Sequence, residues 1–202
     1  SGLLEESLIL EPDEGIIDMI RARYVTAARL AVAQGDLDAG ARFLEDAGAV
    51  ADRLGARRLR AYVESELVAL EVPTRRALAP RVDFEHRDST ATGWFQIVAQ
   101  AEEEAAIRLL LKDSRDPELA CRWAGEWVER LTGTRRRRAR LQARRLLALC
   151  LAAAERSDDA AHEVALVLRT CDDAGMVRFA ADGGGGIAEV VDAARSAAGG
   201  HL

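Results

Sequence analysis

The feature that most constrains this chain is a pair of helical segments that recurs at multiples of roughly 40 residues. The pair "RLAVAQGDLDAGARFLEDAGAVADRLG" spans residues 29–55, and a similar pattern spans residues 149–175, at a shift of 120. A shift of 78 leads to "LLKDSRDPELACRWAGEWVERLTG" over residues 110–133. Helix pairs with a fixed period are typical of an α-solenoid, in which each pair buries its outer faces against its neighbours. The sequence therefore predicts an all-α superhelix of antiparallel helix pairs.

The first unit shows how each pair is built. Small apolar residues follow helical spacing up to Gly35, which suits a left-handed helix cap, and Asp36 is a good N-cap for the second helix. The second helix ends at Gly55 and carries an apolar stripe formed by Leu37, Ala41, Leu44, Ala47, Val50, Ala51 and Leu54. Small residues at Ala28 and Gly40, where the two helices approach most closely, give the unit a tetratricopeptide-like spacing.

The rest of the chain continues the pattern with one degraded unit at about residues 73–93. There "VPTRRALAPRVDFEHRDST" contains Pro73 and Pro80, which prevent a long helix. Apolar spacing predicts further helices over residues 56–70, 94–112, 117–131, 134–154, 158–174 and 187–198, with "MVRFAAD" extended before the last one. We assign residues 1–182 to the helical-repeat solenoid. Residues 183–202 are assigned to a glycine hinge and a closing helix that leads toward a DNA-binding domain outside the chain.

Composition narrows the class of protein further. Hydrophobic residues make up 49% of the chain and aromatic residues 4%, so the core is expected to consist of closely packed Ala, Leu and Val. A net charge of −6 gives no general attraction to nucleic acid or to an anionic membrane. The longest apolar run, residues 146–154, falls short of the ~20 residues that cross a membrane, and no signal peptide opens the chain. We therefore expect a cytoplasmic protein with three reduced core cysteines, Cys121, Cys150 and Cys171.

The order of these segments resembles the helical-repeat region of large LuxR-type, MalT-like transcriptional regulators. The resemblance is carried by "ARLAVAQGDLDAGARFLEDA", by "RRRRARLQARRLLALCLAAAERSDDAAHEVALVLRTCDDAG" and best by "CDDAGMVRFAADGGGGIAEVV". It implies a sensor module that lies between an ATPase and a helix-turn-helix domain, and a bacterial source, which the arginine-rich composition also suggests. No phosphate-binding loop and no helix-turn-helix is found in the 202 residues, so ATP and DNA would be bound by other domains. The missing start methionine fits a segment of a longer protein.

The tetratricopeptide resemblance also implies which residues would line a ligand groove. Its inward-facing positions fall on the first helix of each pair, on Arg29, Tyr62, Glu66, Gln100, Glu103, Gln142 and Arg145. These side chains are polar or amphipathic at positions where a core helix would have Ala or Leu, so they could orient a ligand by hydrogen bonds. The alternative is that they only solvate the groove, as half-exposed polar residues commonly do.

Other conspicuous residues favour structural interpretations. The run "RRRRAR" over residues 135–140 spreads charge around a helix, which is typical of a solvated face with acidic neighbours; a contact with a partner or another domain and a nucleic-acid surface are the alternatives. His162 lies four residues after Asp158, a spacing that predicts a surface ion pair. Trp123 and Trp127 are expected in the core, and Trp94 is a candidate to cap or line a groove. We identify no catalytic residues, no metal site and no cofactor.

The sequence thus predicts a non-enzymatic sensor or interaction module of a LuxR-type regulator. Its expected partners are the neighbouring domains of the parent regulator and a small-molecule effector or protein, with no direct nucleic-acid binding and no membrane. The alternative is a freestanding tetratricopeptide-like scaffold for protein–protein interaction. A neighbouring ATPase and helix-turn-helix in the parent gene would favour the regulator, and their absence would favour the scaffold.

Overall fold

The computed structural model describes residues 17–73, 93–112, 116–176, 179 and 186–199, and among 93–97 and 194–199 it describes the backbone alone. This part of the chain is helical and contains no strand. Its helices are α1 (Ile17–Ala33), α2 (Leu37–Arg53), α3 (Arg57–Ala69), α4 (Gly93–Lys112), α5 (Pro117–Leu131), α6 (Arg137–Ala153), α7 (Ser157–Asp173) and α8 (Ile187–Gly199). The predicted all-α fold of adjacent helix pairs is confirmed. The degraded unit lies almost entirely outside the described residues, as do Gly183–Gly185 of the predicted hinge.

Short turns with a left-handed glycine join α1 to α2 and α2 to α3. Gly35 and Gly55 adopt φ values of 84° and 59°, as the sequence predicts for positions that end a helix. The Asp36 carboxylate accepts a hydrogen bond of 2.8 Å from the Ala39 backbone amide, and Asp116 caps α5 in the same way. These local signals turn the chain back on itself, so consecutive helices pack side by side.

The chain divides into two compact units, Ser1–Ala106 and Ile107–Leu202. In the first unit α1 packs against α2 and α3, and α2 packs against α3. Their shared core is apolar, with Ile20, Tyr24, Ala28, Leu44, Ala47, Val50, Leu59, Val63 and Leu67 buried. A Cβ atom on Gly40 would lie 2.7 Å from Cγ2 of Val32, so the close approach predicted for these helices is confirmed.

In the second unit α6 packs against both α5 and α7, and α8 covers α7 and α6. The core of this unit contains Ala120, Ala124, Trp127, Leu131, Ala143, Leu146, Cys150 and Ile187. Trp127 is 2% exposed, which confirms it as a core residue, and Trp123 packs at the edge of the same cluster. All three cysteines are free thiols in buried positions, as predicted. The Trp94 side chain lies outside the described residues.

Helix ends account for the predictions that were wrong. Leu37 and Leu54 belong to the predicted apolar stripe, but they lie at the two ends of α2 and are 45% and 44% exposed. Helix α6 begins at Arg137, three residues later than predicted. The reason is that the Thr134 hydroxyl donates to the Leu131 carbonyl at 2.7 Å, which ties Thr134 to the end of α5.

The segment after α7 also departs from its prediction. Most of "MVRFAAD" lies outside the described residues, but the Phe179 amide donates to the Met176 carbonyl at 3.1 Å. This hydrogen bond closes a turn where an extended segment was expected.

Candidate functional site

Two of the predicted groove residues meet directly in the first unit. Arg29 of α1 donates to both carboxylate oxygens of Glu66 of α3, from Nε at 3.0 Å and from Nη2 at 2.5 Å. The Glu66 side chain is 11% exposed and that of Arg29 is 45% exposed, so the pair is open to solvent from the arginine side. A bidentate contact of this kind fixes the orientation of both side chains and joins the first helices of two consecutive pairs.

Two guanidinium groups approach the ring of Tyr62, which lies one helical turn before Glu66. Arg21 of α1 stacks over the Tyr62 ring at 3.8 Å from the ring centroid, and Arg58 lies 5.6 Å from it. Arg58 also pairs with Asp18 of α1. Partial burial lowers the pKa of Arg58, but its hydrogen bonds to Asp18 and Tyr62 outweigh this and raise it above the ordinary value. Tyr62 is therefore an aromatic platform held in place by cations.

The predicted residues on α4 extend this polar surface. Tyr62 packs against a small apolar cluster formed by Ala61, Val98 and Ala101, which joins α3 to α4. Gln100 follows within this segment and is half-buried, whereas Glu103 is buried with 5% exposure. We call the faces of α1, α3 and α4 that carry Arg29, Tyr62, Glu66, Gln100 and Glu103 the first-helix surface.

The two remaining predicted residues lie on α6 in the second unit, and Arg145 has a packing contact there. The Arg145 guanidinium lies 4.5 Å from the centroid of the Phe179 ring and donates to the Phe179 carbonyl. Arg145 is 7% exposed, so it anchors the segment that follows α7. Gln142 is half-buried one turn earlier. A ligand-binding role for these two residues stays a prediction.

The arginine run is partly used within the second unit. Arg137 donates to the Thr170 carbonyl at 3.2 Å, and Arg138 lies 5.4 Å from the Phe179 ring centroid. Arg144, which follows the run, pairs with Glu163 at 2.6 Å. An acidic neighbour is therefore found on α7 for Arg144, whereas the contacts described for Arg137 and Arg138 are to a backbone carbonyl and an aromatic ring.

One feature of the second unit was missed by the sequence analysis. A groove of about 490 Å³ lies between α5 and α7, on the side of the second helices rather than the first. It contains His162, and the ion pair predicted between His162 and Asp158 is not formed among the described residues. The signal was present as two similar triplets, Glu118–Cys121–Arg122 and Asp159–His162–Glu163, each with the spacing of one helix face.

The described residues contain no group of three or more His, Cys, Asp or Glu side chains arranged to hold a metal ion. In the same part of the chain no helix is long and apolar enough to span a bilayer.

Comparison with known proteins places this arrangement inside much longer chains. No protein-family profile matches the sequence, and no solved structure matches it. The chain is similar to a protein named serine/threonine-protein kinase PknK in Mycobacterium tuberculosis and in Mycobacterium bovis, with 36% identity over 183 residues in each case. The match covers 90% of this chain but 16% of each relative. This chain thus corresponds to about a sixth of the length of the relatives it matches.

Proposed function

We propose that this chain is a non-catalytic regulatory module that binds an effector or a partner protein on its first-helix surface and transmits the bound state to neighbouring domains. The observation that carries the proposal is the Arg29–Glu66 pair, which joins α1 to α3 while leaving Arg29 half-exposed. A ligand that competes for either charge would change the contact between two consecutive repeats.

The energetics of such a pair favour a binding role over a purely structural one. Removing the Glu66 carboxylate, which is 11% exposed, from water is costly, and apolar residues often stabilise such a helix contact equally well. The flanking contacts of α1 with α3 are already made by buried apolar residues such as Tyr24 and Val63. A polar pair beside such a core is well suited to an exchange of partners, and a ligand that prefers one arrangement shifts the population of states.

The length of the relatives supports a module over the freestanding scaffold that the sequence left as the alternative. A segment that matches about a sixth of a much longer protein is expected to act on other domains of that protein. The LuxR-type resemblance supports an ATPase and a helix-turn-helix as those domains. The relatives' name supports a kinase domain as a further output.

The kinase activity itself is expected outside the 202 residues. The tripeptide His86–Arg87–Asp88 resembles the start of a kinase catalytic loop, which requires an Asn five residues after the Asp. Gly93 stands at that position, and the sequence contains no Asp-Phe-Gly motif to hold the metal ion. We therefore assign the module the role of controlling an output rather than of producing it.

Reversing the charges of the pair tests this function in the parent protein. The variants are Arg29→Glu, Glu66→Arg and the double exchange, with unfolding free energy measured by urea denaturation and output measured as phosphate transfer or reporter transcription. Each single reversal places like charges together and is expected to lower stability by about 1 kcal/mol or more, and the double exchange is expected to restore stability. Because a ligand would still meet the wrong charges, the double exchange is expected to leave the regulated output impaired.

Arg42→Glu is the matched control, since Arg42 is exposed on the second helix α2. Its output is expected to equal that of the unmodified parent. If the double exchange restores output together with stability, the pair serves only to hold the helices and the proposed function is wrong.

A further inference from the structure

The groove between α5 and α7 is built from three helices of the second unit. Helices α5 and α7 both pack on α6 but, among the described residues, not on each other. Leu147 and Leu151, one turn apart on α6, form the apolar floor. The volume of about 490 Å³ falls within the roughly 300–1,000 Å³ of small-molecule sites. The groove therefore has room for a ligand with apolar groups directed at the floor.

The walls of the groove are charged, and part of that charge is already paired. Arg156 donates to Asp159 at 2.7 Å and 2.9 Å at one end, and Glu163 pairs with Arg144 at 2.6 Å on the side of α6. These pairs neutralise one another and hold the side chains along α7. The charges that a ligand must carry are therefore determined by the α5 wall of the groove.

Two opposite charges on α5 make no hydrogen bond of this kind, although the Glu118 carboxylate interacts electrostatically with Arg156. Glu118 and Arg122 lie four residues apart, on one face of the helix, and both line the groove. Neither makes a hydrogen bond or ion pair within the described part of the chain, and the same holds for His162 on the opposite wall. The groove thus offers one carboxylate and one guanidinium without hydrogen-bonded partners, about one helical turn apart.

Cys121 completes the α5 wall as a neutral group. Burial, followed by the field of the Glu118 carboxylate, raises the pKa of the Cys121 thiol, although Arg156 acts in the opposite direction. The protonated thiol adds to the apolar surface of the floor. Of the three cysteines in the chain, Cys121 lines this groove, which makes it a local reporter of what occupies it.

From this geometry we infer that the groove between α5 and α7 binds a short zwitterionic peptide with apolar side chains. Its carboxylate meets Arg122, its ammonium group meets Glu118, and its side chains lie on Leu147 and Leu151. A polyanion such as a nucleotide would meet the Glu118 carboxylate beside Arg122, while the cations Arg156 and Arg144 are already paired with Asp159 and Glu163. The site lies on the second-helix side of the second unit and is independent of the first-helix surface.

Titration calorimetry with trileucine on the 202-residue chain tests the inference. The comparison ligands are N-acetyl-trileucine, which lacks the ammonium group, and trileucine amide, which lacks the carboxylate. Each blocked ligand is expected to bind at least about tenfold more weakly, since each loses one charge-assisted hydrogen bond. Trileucine is also expected to slow iodoacetamide alkylation at Cys121, mapped by peptide mass spectrometry, without slowing it at Cys150.

Two variants test which side chain of the groove binds each charged end of the ligand. Arg122→Gln is expected to remove the penalty for the amide, and Glu118→Gln is expected to remove the penalty for acetylation. Both residues are exposed, and the matched controls Arg169→Gln and Glu129→Gln alter exposed residues of α7 and α5 outside the groove lining.

The inference is overturned if trileucine does not bind at millimolar concentration, or if it binds without protecting Cys121. It is equally overturned if both variants keep the discrimination of the unmodified chain. A ligand series in which only amidation weakens binding would indicate a protein C-terminus as the occupant, which contradicts a zwitterionic ligand.

Discussion

At the scale of single residues, Glu155 occupies a left-handed backbone conformation that glycine holds at the ends of α1, α2, α5 and α7 and that Glu71 also adopts after α3. The shift of 120 residues that relates the helix pair at 29–55 to the pair at 149–175 makes Glu155 the counterpart of Gly35. Their φ values are 59° and 84°. A side chain with a Cβ atom is disfavoured in this left-handed region, whereas glycine adopts it freely. The turn at Glu155 thus has the same backbone geometry as the turn at Gly35 but lacks the residue best suited to it.

Glu155→Gly is accordingly expected to raise the unfolding free energy by about 1 kcal/mol, measured by urea denaturation. The matched control is Glu129→Gly, at an exposed position inside α5, which is expected to lower stability by about 1 kcal/mol because glycine weakens a helix interior. Equal destabilisation by both variants would show that the left-handed turn at Glu155 is not strained.

The buried thiol of Cys150 makes the unfolding free energy depend on pH in the alkaline range. It is fully buried, and burial raises the pKa of its thiol far above the value of about 8.5 expected for an unfolded chain. A group whose folded pKa is raised stabilises the fold below its unfolded pKa and loses that contribution as the pH rises. The folded protein therefore keeps the proton that the unfolded chain releases.

Cys150→Ala is expected to flatten the fall in unfolding free energy above pH 8.5 by up to about 1.4 kcal/mol per pH unit. The measurement is a series of urea denaturations between pH 7 and pH 10. The small void left by the missing sulfur lowers the whole curve equally, so the difference in slope isolates the thiol. Identical slopes in the two proteins would mean that Cys150 is not buried as described.

At the scale of helices, small residues set the distance between α1 and α2. Gly40→Ala is expected to destabilise the protein by about 1–3 kcal/mol, because the new Cβ atom would lie 2.7 Å from Cγ2 of Val32. Gly125→Ala in α5 is the control, since its Cβ atom would meet nothing within 4 Å. There the gain in helix propensity is expected to stabilise by about 1 kcal/mol.

Thermal and urea denaturation of both glycine variants provide the measurement. A Gly40→Ala variant as stable as the unmodified protein would show that Val32 can move aside and that the close approach of the helices carries no energetic weight.

Helix boundaries were predictable where a single residue carries the signal. Asp36 and Asp116 cap helices, and Gly35 and Gly55 end them, through interactions with their own neighbours in sequence. The contacts of Arg145 were not predictable in this way. Its burial depends on Phe179, 34 residues later, and no local spacing reports such a partner.

The two candidate sites also differ in how far the sequence predicts them. The repeat predicted that Arg29 and Glu66 lie on the inward faces of consecutive first helices, but it did not predict that the two side chains pair directly. The groove between α5 and α7 depends on how far two second helices stand apart, and that distance is set by the packing of both on α6. The charged triplets on α5 and α7 were visible in the sequence, but the space between them was not.

At the scale of the whole molecule, the chain consists of two compact units, and each has its own core and its own candidate surface. The first unit carries the Arg29–Glu66 pair and the second carries the groove floored by Leu147 and Leu151. Because each unit has its own core and its own candidate surface, substitutions in one surface can be compared with substitutions in the other.

The most direct test of the central claim is to map the substitutions that alter the output of the parent protein. A saturation library over residues 17–73 and 93–112 would be sorted for altered output, and variants that unfold would be removed by a stability screen. The proposed function predicts that fold-retaining variants with altered output concentrate at Arg29, Tyr62, Glu66 and Gln100 rather than at the exposed α2 positions Arg42, Asp46 and Arg53. An even distribution, or a concentration on α2, would contradict binding at the first-helix surface.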